Sequence, residues 1–190
     1  MKKVFLLVSM LVLMISSVCF AKVNMEDLNL GGIYIGQPID EVINIYGEPL
    51  KKPTAPKGYD FIFSLDGGNF VVRPTYPYQG KESIVEKITL KDNIQSLKTH
   101  LNIGLYASRE DVINTYGAPD NTDEEYVVLS DNNRHLSEKV SYITTLVKHP
   151  DDRYSYGQLD FYFVDNVVSI ISFSLKYTGN PNIIRFYDGF

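Results

Sequence analysis

The feature of this sequence that most constrains its fold is a motif that occurs twice at a constant spacing. Residues 33–49 align without a gap on residues 103–119, an offset of 70 residues, and 7 of the 17 positions are identical. The identical pairs are Ile33/Ile103, Val42/Val112, Ile43/Ile113, Asn44/Asn114, Tyr46/Tyr116, Gly47/Gly117 and Pro49/Pro119. Self-similarity at a fixed spacing is the signature of a repeated structural unit. The sequence therefore predicts two copies of one unit, joined in tandem.

Each copy of the motif predicts a short helix with a defined end. In the first copy, apolar side chains recur at i, i+3, i+4 and i+7, the spacing of one helix face: Ile39, Val42, Ile43 and Tyr46. In the second copy, Ser108 can cap the helix, and Asp111 follows three residues later as in a capping box. A glycine and then a proline end each helix, namely Gly47 and Pro49, and Gly117 and Pro119.

Segments with the alternation of β-strands follow each predicted helix. They span 59–65, 69–73 and 84–90 in the first copy, and 140–147, 158–164 and 167–175 in the second. Tight turns at Asp66-Gly67-Gly68 and Asp165-Asn166 join consecutive runs, which favours antiparallel pairing. We therefore predict an α+β fold of two tandem repeats, each a short helical segment followed by an antiparallel β-meander. The predicted repeats span residues 22–92 and 93–190.

Residues 1–21 have the three parts of a secretory signal peptide. Lys2 and Lys3 give a positive start, an apolar run spans 4–14, and small side chains at Cys19 and Ala21 precede a cleavage site after Ala21. The apolar run is shorter than the roughly 20 residues that span a bilayer. A retained membrane anchor and a lipoprotein attached through Cys19 are the two alternatives. We expect cleavage, export to the periplasm and cell envelope or to the medium, and no membrane span afterwards.

The composition of the expected mature chain limits its partners. Cleavage removes Cys19, the only cysteine, so no disulfide stabilises the fold. It leaves 16 basic and 23 acidic side chains, a formal charge of −7. An acidic chain disfavours binding to nucleic acid and to anionic membrane surfaces. With 44% apolar and 22% charged residues, the chain is expected to form a packed core.

The two helix motifs resemble those of a family of small bacterial envelope modules. The segment 99–103 that leads into 112–119 is similar to a motif of the beta-lactamase-inhibitor-protein-like modules, a group that includes the SmpA/OmlA outer-membrane lipoproteins. Residues 35–49 fit the same pattern. In these modules a helix that carries a valine and ends in Tyr/Leu-Gly-x-Pro precedes a meander sheet. In the inhibitor itself, two such units form one concave sheet surface that binds an enzyme. The resemblance implies a tandem fold and a protein partner, but no functional residue, because the motif residues are structural in the family.

The sequence contains no motif typical of a catalytic or metal centre. The mature chain has no cysteine nucleophile, no G-x-S-x-G, no H-E-x-x-H and no phosphate-binding loop. His100, His135 and His149 occur singly, without the spacing of zinc ligands. Asp151-Asp152 is typical of a solvated hairpin tip, and Asp131-Asn132-Asn133 lacks the later Gly and Glu of a calcium loop. We therefore expect no catalytic residue, no metal and no cofactor.

The aromatic content points to a binding surface. The chain has 14 Tyr and 10 Phe but no Trp, and tyrosines are enriched where proteins meet. Two predicted loops, 73–80 and 148–157, carry tyrosines and arginines at equivalent places. Six residues are therefore predicted to bind a partner: Arg73, Tyr76, Tyr78, Arg153, Tyr154 and Tyr156.

Together these features predict an exported, non-enzymatic module of the cell envelope that binds another protein through an aromatic sheet and loop surface. The alternative is an enzyme or small-ligand-binding protein that uses a cleft between the two repeats. A buried carboxylate or a histidine–carboxylate contact in that cleft would favour this alternative. A third interpretation is a structural envelope module with a permanently bound partner, for example in outer-membrane assembly.

Overall fold

The computed structural model describes residues 23–52, 60–75, 83–91, 93–148 and 154–178 of the 190-residue chain. Within these ranges the protein is mostly antiparallel β-sheet with two short α-helices, as the predicted α+β class requires. A 3-10 turn at Met25–Asp27 precedes a small two-stranded sheet of β1 (Asn29–Leu30) and β2 (Ile33–Tyr34). The helices are α1 (Ile39–Tyr46) and α2 (Arg109–Tyr116). The strands of the main sheet are β3 (Phe61–Leu65), β4 (Gly68–Pro74), β5 (Val85–Leu90), β6 (Asn121–Val128), β7 (Arg134–Ile143), β8 (Val147–Lys148), β9 (Tyr154–Val164) and β10 (Val167–Thr178).

The main sheet joins the strands that follow α1 to those that follow α2. Its strands lie in the order β3-β4-β5-β10-β9-β7-β6, and β8 pairs with β9 beside this path. All of these pairings are antiparallel. At the junction β5 pairs with β10, with Leu90 opposite Ile171 and Ile88 opposite Phe173. The two sets of strands therefore form one continuous sheet.

The tight turns predicted from the sequence are present. Asp66 and Gly67 have φ of 52° and 80°, and Asp165 and Asn166 have φ of 52° and 66°. Two consecutive positive φ angles define the turn whose twist matches paired strands, and Asp, Asn and Gly tolerate them best. These turns connect β3 to β4 and β9 to β10.

The ends of both helices also follow the predicted chemistry. The Asp111 N–H donates to Ser108 Oγ at 3.0 Å, and the Ser108 N–H donates to Asp111 Oδ2 at 3.2 Å, which completes the capping box of α2. Gly47 and Gly117 end the two helices with φ of 81° and 82°. A positive φ at this position favours glycine, so these residues stop the helices without strain.

Both helices pack on one face of the main sheet. The Tyr46 ring of α1 lies 5.0 Å from the Phe70 ring, and the Tyr116 ring of α2 lies 5.3 Å from the Phe161 ring. Four phenylalanines of the main sheet are fully buried on this face: Phe63, Phe70, Phe161 and Phe173. Burial of each stabilises the fold by about 1.5–3 kcal/mol. This face is the hydrophobic core.

Two details of the predicted strands are wrong. β6 covers 121–128, a polar segment with no predicted strand, and it forms because β7 pairs with every one of its residues, from Asn121 opposite Ser141 to Val128 opposite Arg134. The strand predicted at 140–147 is β7 at 134–143, and residues 144–146 lie outside it.

The loop predicted at 148–157 is also wrong over its second half. Residues 154–157 belong to β9. They are extended because they have a partner on both sides: Tyr154 pairs with Lys148 of β8 and with Thr178 of β10. Tyr154 and Tyr156 are therefore strand residues.

Candidate binding face

The face of the main sheet opposite the helices is lined mainly by polar side chains, and we call it the polar face. Strand register places residues of seven strands in one directly paired row across it: Ile62, Val71, Thr89, Ser172, Asp160, Ser141 and Asn121. A second row next to it contains Arg73, Lys87, Ser174, Gln158 and Ile143. Neighbouring residues in such a row lie about 5 Å apart and interact directly.

A buried carboxylate lies at the centre of the polar face. Asp160 is only 6% exposed, and its Oδ1 accepts hydrogen bonds from Ser141 Oγ at 2.6 Å and from Gln158 Nε2 at 2.7 Å. Ser172 and Ser174 beside it are also buried. A buried polar group is tolerated when its hydrogen bonds are made, so Asp160 is held in place by its donors.

Cationic side chains surround a small cavity on the β4–β5 side of this face. The cavity has a volume of about 180 Å³ and is lined by Asp60, Val71, Arg73, Lys87, Thr89 and Lys91. Arg73 binds Asp60 with two hydrogen bonds, Nε to Oδ1 at 2.6 Å and Nη2 to Oδ2 at 3.0 Å. The hydrogen bond from Arg73 holds the pKa of Asp60 below its ordinary value. Asp60 thus fixes the guanidinium at the rim of the cavity.

Lys87 is a partly buried cation in this region. Burial lowers the pKa of Lys87, and the positive charges of Arg73 and Lys176 lower it further, while Asp160 and Asp60 oppose the shift. Lys87 and Lys91 form no salt bridge with a residue that the structure describes. This side of the polar face is therefore positive, although the whole chain carries a formal charge of −5.

The β6–β7 side of the polar face has the opposite charge balance. Lys139 Nζ lies 3.6 Å from Asp123 Oδ2 and 3.9 Å from Glu125 Oε1, so two carboxylates share one cation. Burial raises the pKa of Tyr162, which pairs with Lys139, and the nearby acids Asp160 and Glu125 raise it further. The polar face is thus positive toward β4 and β5 and negative toward β6.

The sheet brings three of the six predicted partner-binding residues to this face. Arg73 lies on the polar face of β4, and Tyr154 and Tyr156 lie on the polar face of β9. β5 and β10 separate Arg73 from the tyrosines, a distance of about 14 Å across three strand spacings. Both tyrosines are half-buried and Arg73 is exposed. Tyr76, Tyr78 and Arg153 lie outside the described residues.

Sequence reasoning missed four residues of this face: Lys87, Lys91, Asp160 and Ser141. The alternation over 84–90 does separate Lys87 and Thr89 from Ile88 and Leu90, and this signal could have placed Lys87 on the polar face. The same alternation places Val85 on the face of Lys87, but Val85 is fully buried in the core. A β-bulge between Arg73 and Pro74 shifts the register at Val85 and turns its side chain inward.

The contacts that the alternative function requires are present in part. Asp160 is a buried carboxylate, but it lies on the polar face of β9, and β5 and β10 are hydrogen-bonded where the two sets of strands meet. The one histidine–carboxylate contact among the described residues joins His135 Nε2 to Asp131 Oδ2 at 2.9 Å, next to the β6–β7 turn. No group of three or more potential metal-ligating side chains occurs within the described ranges.

Comparisons with protein-family models, with curated proteins and with solved structures find no match for this chain. Among the described residues, no helix has the length and apolar character needed to cross a membrane.

Proposed function

We propose that this chain is an exported, non-enzymatic protein of the cell envelope that binds another protein through the polar face. The observation that carries the proposal is the placement of Arg73, Tyr154 and Tyr156 on one face of one sheet. Tyrosine and arginine are the residue types that contribute most to protein interfaces, because they combine a large contact area with hydrogen bonding. The charge separation across the same face would orient a partner of complementary charge.

The proposal includes a tandem arrangement of two related units. Motif residues that are 70 positions apart make equivalent backbone hydrogen bonds, which supports this arrangement. Gly36 N–H donates to Val85 O at 2.8 Å, and Tyr106 N–H donates to Val168 O at 2.8 Å. The next residue of each copy repeats the match: Val85 N–H donates to Gln37 O at 2.7 Å, and Val168 N–H donates to Ala107 O at 2.9 Å. Each motif thus pairs with the last strand of its own set. This tandem arrangement is what the resemblance to beta-lactamase-inhibitor-protein-like modules implies.

A pull-down with matched tyrosine variants tests the proposed function. The bait is residues 22–190, incubated with native envelope fractions and with culture medium. We expect one protein to be captured by the wild type and lost in the double variant Tyr154→Ala/Tyr156→Ala. The control double variant is Tyr34→Ala/Tyr126→Ala, because these tyrosines are 42% and 62% exposed and lie off the polar face.

Thermal unfolding of each variant establishes that it is folded before it is used. Capture that survives in Tyr154→Ala/Tyr156→Ala but is lost in the control would contradict the polar face as the binding surface. Equal loss in both folded variants would also count against it.

The second candidate is a small-ligand-binding protein, and the cavity beside Lys87 favours it. At about 180 Å³ the cavity is smaller than the roughly 300–1,000 Å³ typical of sites for drug-sized ligands, so only a small anion fits. Binding of a free small anion with no captured protein would support this candidate.

A further inference from the structure

The cavity between β4 and β5 contains more positive charge than its surroundings neutralise. Arg73, Lys87 and Lys91 line it, and Asp60 is the acid in its wall. Both oxygens of Asp60 are already engaged by Arg73. Two ammonium groups therefore face the cavity without a salt bridge from a described residue.

Strand register places two of these cations side by side and the third further along the cavity wall. Arg73 is directly opposite Lys87 in the β4–β5 pair, and Val71 is directly opposite Thr89. Lys91 follows Thr89 by two residues, so it projects from the same face. Val71 and Thr89 also line the cavity, so an anionic group there meets apolar side-chain atoms as well as cations.

The size and charge of the cavity suit the carboxylate of an acidic side chain. Charge-assisted hydrogen bonds from lysine or arginine to a carboxylate are about twice as strong as neutral ones, and partial burial strengthens them. On the β6 side of the polar face, Asp123 and Glu125 outnumber their one cation, Lys139, so an acidic segment is repelled there and attracted to the cavity. Phosphate shares this chemistry, and the experiment below separates the two sources of negative charge.

We propose that this cavity receives a carboxylate from an acidic segment of the protein partner, with Lys87 and Lys91 as the contacting cations. Arg73, held by Asp60, borders the site. The inference rests on the proposed function, since it names the chemistry of the partner that the polar face binds. Tyr156 supports a protein segment over a free anion, because it extends the same face next to Lys176, which it pairs with.

The test is an NMR titration of the isolated chain, which needs no captured partner. The probes are a blocked hexaglutamate peptide and, separately, inorganic phosphate. We expect the peptide to shift the backbone amide signals of Val71, Lys87 and Thr89 saturably, and inorganic phosphate to shift them less at equal concentration. Lys87→Gln and Lys91→Gln should each weaken peptide binding about tenfold, the loss of one charged hydrogen bond.

The control variant is Lys98→Gln, which removes one exposed positive charge away from the cavity and should leave binding within twofold. Lys91 is exposed, so Lys91→Gln keeps the test valid even if Lys87→Gln unfolds the chain. No saturable peptide shift in the wild type, or an equal loss in Lys98→Gln, would overturn the proposal. Phosphate binding without peptide binding would contradict the proposal that an acidic segment binds here. The cavity would then be a site for a free anion.

The two proposals fail in different ways. A partner whose capture depends on Tyr154 and Tyr156 but not on Lys87 and Lys91 would overturn the carboxylate site and leave the proposed function intact. Peptide binding at the cavity without any captured partner supports the site alone.

Discussion

At the scale of single residues, equivalent positions of the two motifs show how strongly backbone geometry constrains this sequence. Gly36 and Tyr106 are 70 residues apart, and both have positive φ, 92° and 68°. Only glycine adopts such angles without a steric penalty, which is about 1–2 kcal/mol for other L-residues. Tyr106 bears this penalty, and its hydroxyl is hydrogen-bonded to Asn93.

We predict that Gly36→Ala lowers the free energy of unfolding by about 1 kcal/mol. Apart from Gly36 and its chain neighbours, no described residue has a heavy atom within 4 Å of an added Cβ at Gly36, so the expected effect is backbone strain. Urea denaturation monitored by circular dichroism measures the change. Gly36→Asn is the matched control and should cost less, because asparagine tolerates positive φ. Equal stability of Gly36→Ala and the wild type would contradict the assigned geometry.

Asp131 gives a pH-dependent prediction at the same scale. Hydrogen bonds from the Asn133 backbone and side chain, and then from His135, lower the pKa of Asp131 to about 2. Because the folded pKa lies below the unfolded value of about 3.9, this stabilisation is present above pH 3.9 and is lost as the pH falls toward 2. A carboxyl ¹³C NMR titration should show Asp131 ionised at pH 3. A midpoint near 4 would contradict the hydrogen-bonded turn.

At the scale of elements, Gly157 of β9 lies against residues 25–28, and its lack of a side chain makes this close contact possible. A Cβ added to Gly157 would lie 2.0 Å from Leu28 Cδ1 and 2.9 Å from Met25 Sδ, and Leu28 is fully buried. We predict that Gly157→Ala destabilises the fold by about 1–3 kcal/mol through overpacking. In a Leu28→Ala background the same substitution should cost clearly less, since the clash is removed. Additive effects in this double-mutant cycle would show that the two residues are not in contact.

The elements differ in how far they could be predicted from the sequence. The hairpin turns at 66–67 and 165–166 and the ends of α1 and α2 depend on local residue types, and these predictions are confirmed. β6 and the first part of β9 are extended because neighbouring strands pair with them, and their own polar or mixed composition does not show the alternation that predicts a strand. The pairing of β5 with β10 joins segments about 80 residues apart, and no local pattern specifies it.

At the scale of the whole molecule, the β5–β10 junction makes the described residues one folded unit. Phe173 is fully buried in β10 and pairs with Ile88 of β5, so it supports the core on both sides of the junction. We predict that Phe173→Ala lowers the free energy of unfolding by about 3–5 kcal/mol. Unfolding should remain a single transition, with coincident curves from tyrosine fluorescence and far-UV circular dichroism. Two separate transitions in the wild type would contradict a shared core.

The candidate site was only partly predictable from the sequence, because part of it depends on which strands are neighbours in the sheet. Arg73, Tyr154 and Tyr156 were predicted from residue type, and the sheet places them on one face. The cationic cavity depends on which strands are neighbours, and the register at Val85 depends on a bulge that the alternation does not reveal. The overall formal charge of −5 concealed a positive region, because net charge carries no information on where charges lie.

Site-specific photo-crosslinking tests the polar face as the binding surface most directly. A photoreactive benzoyl-phenylalanine would replace Tyr156 on the polar face or, in a second variant, Ile45 on α1, which is 55% exposed on the helix side. Each variant is irradiated in native envelope fractions and the adducts are compared. We predict a discrete protein adduct from position 156 and none from position 45. An adduct from position 45 with none from position 156 would contradict binding through the polar face.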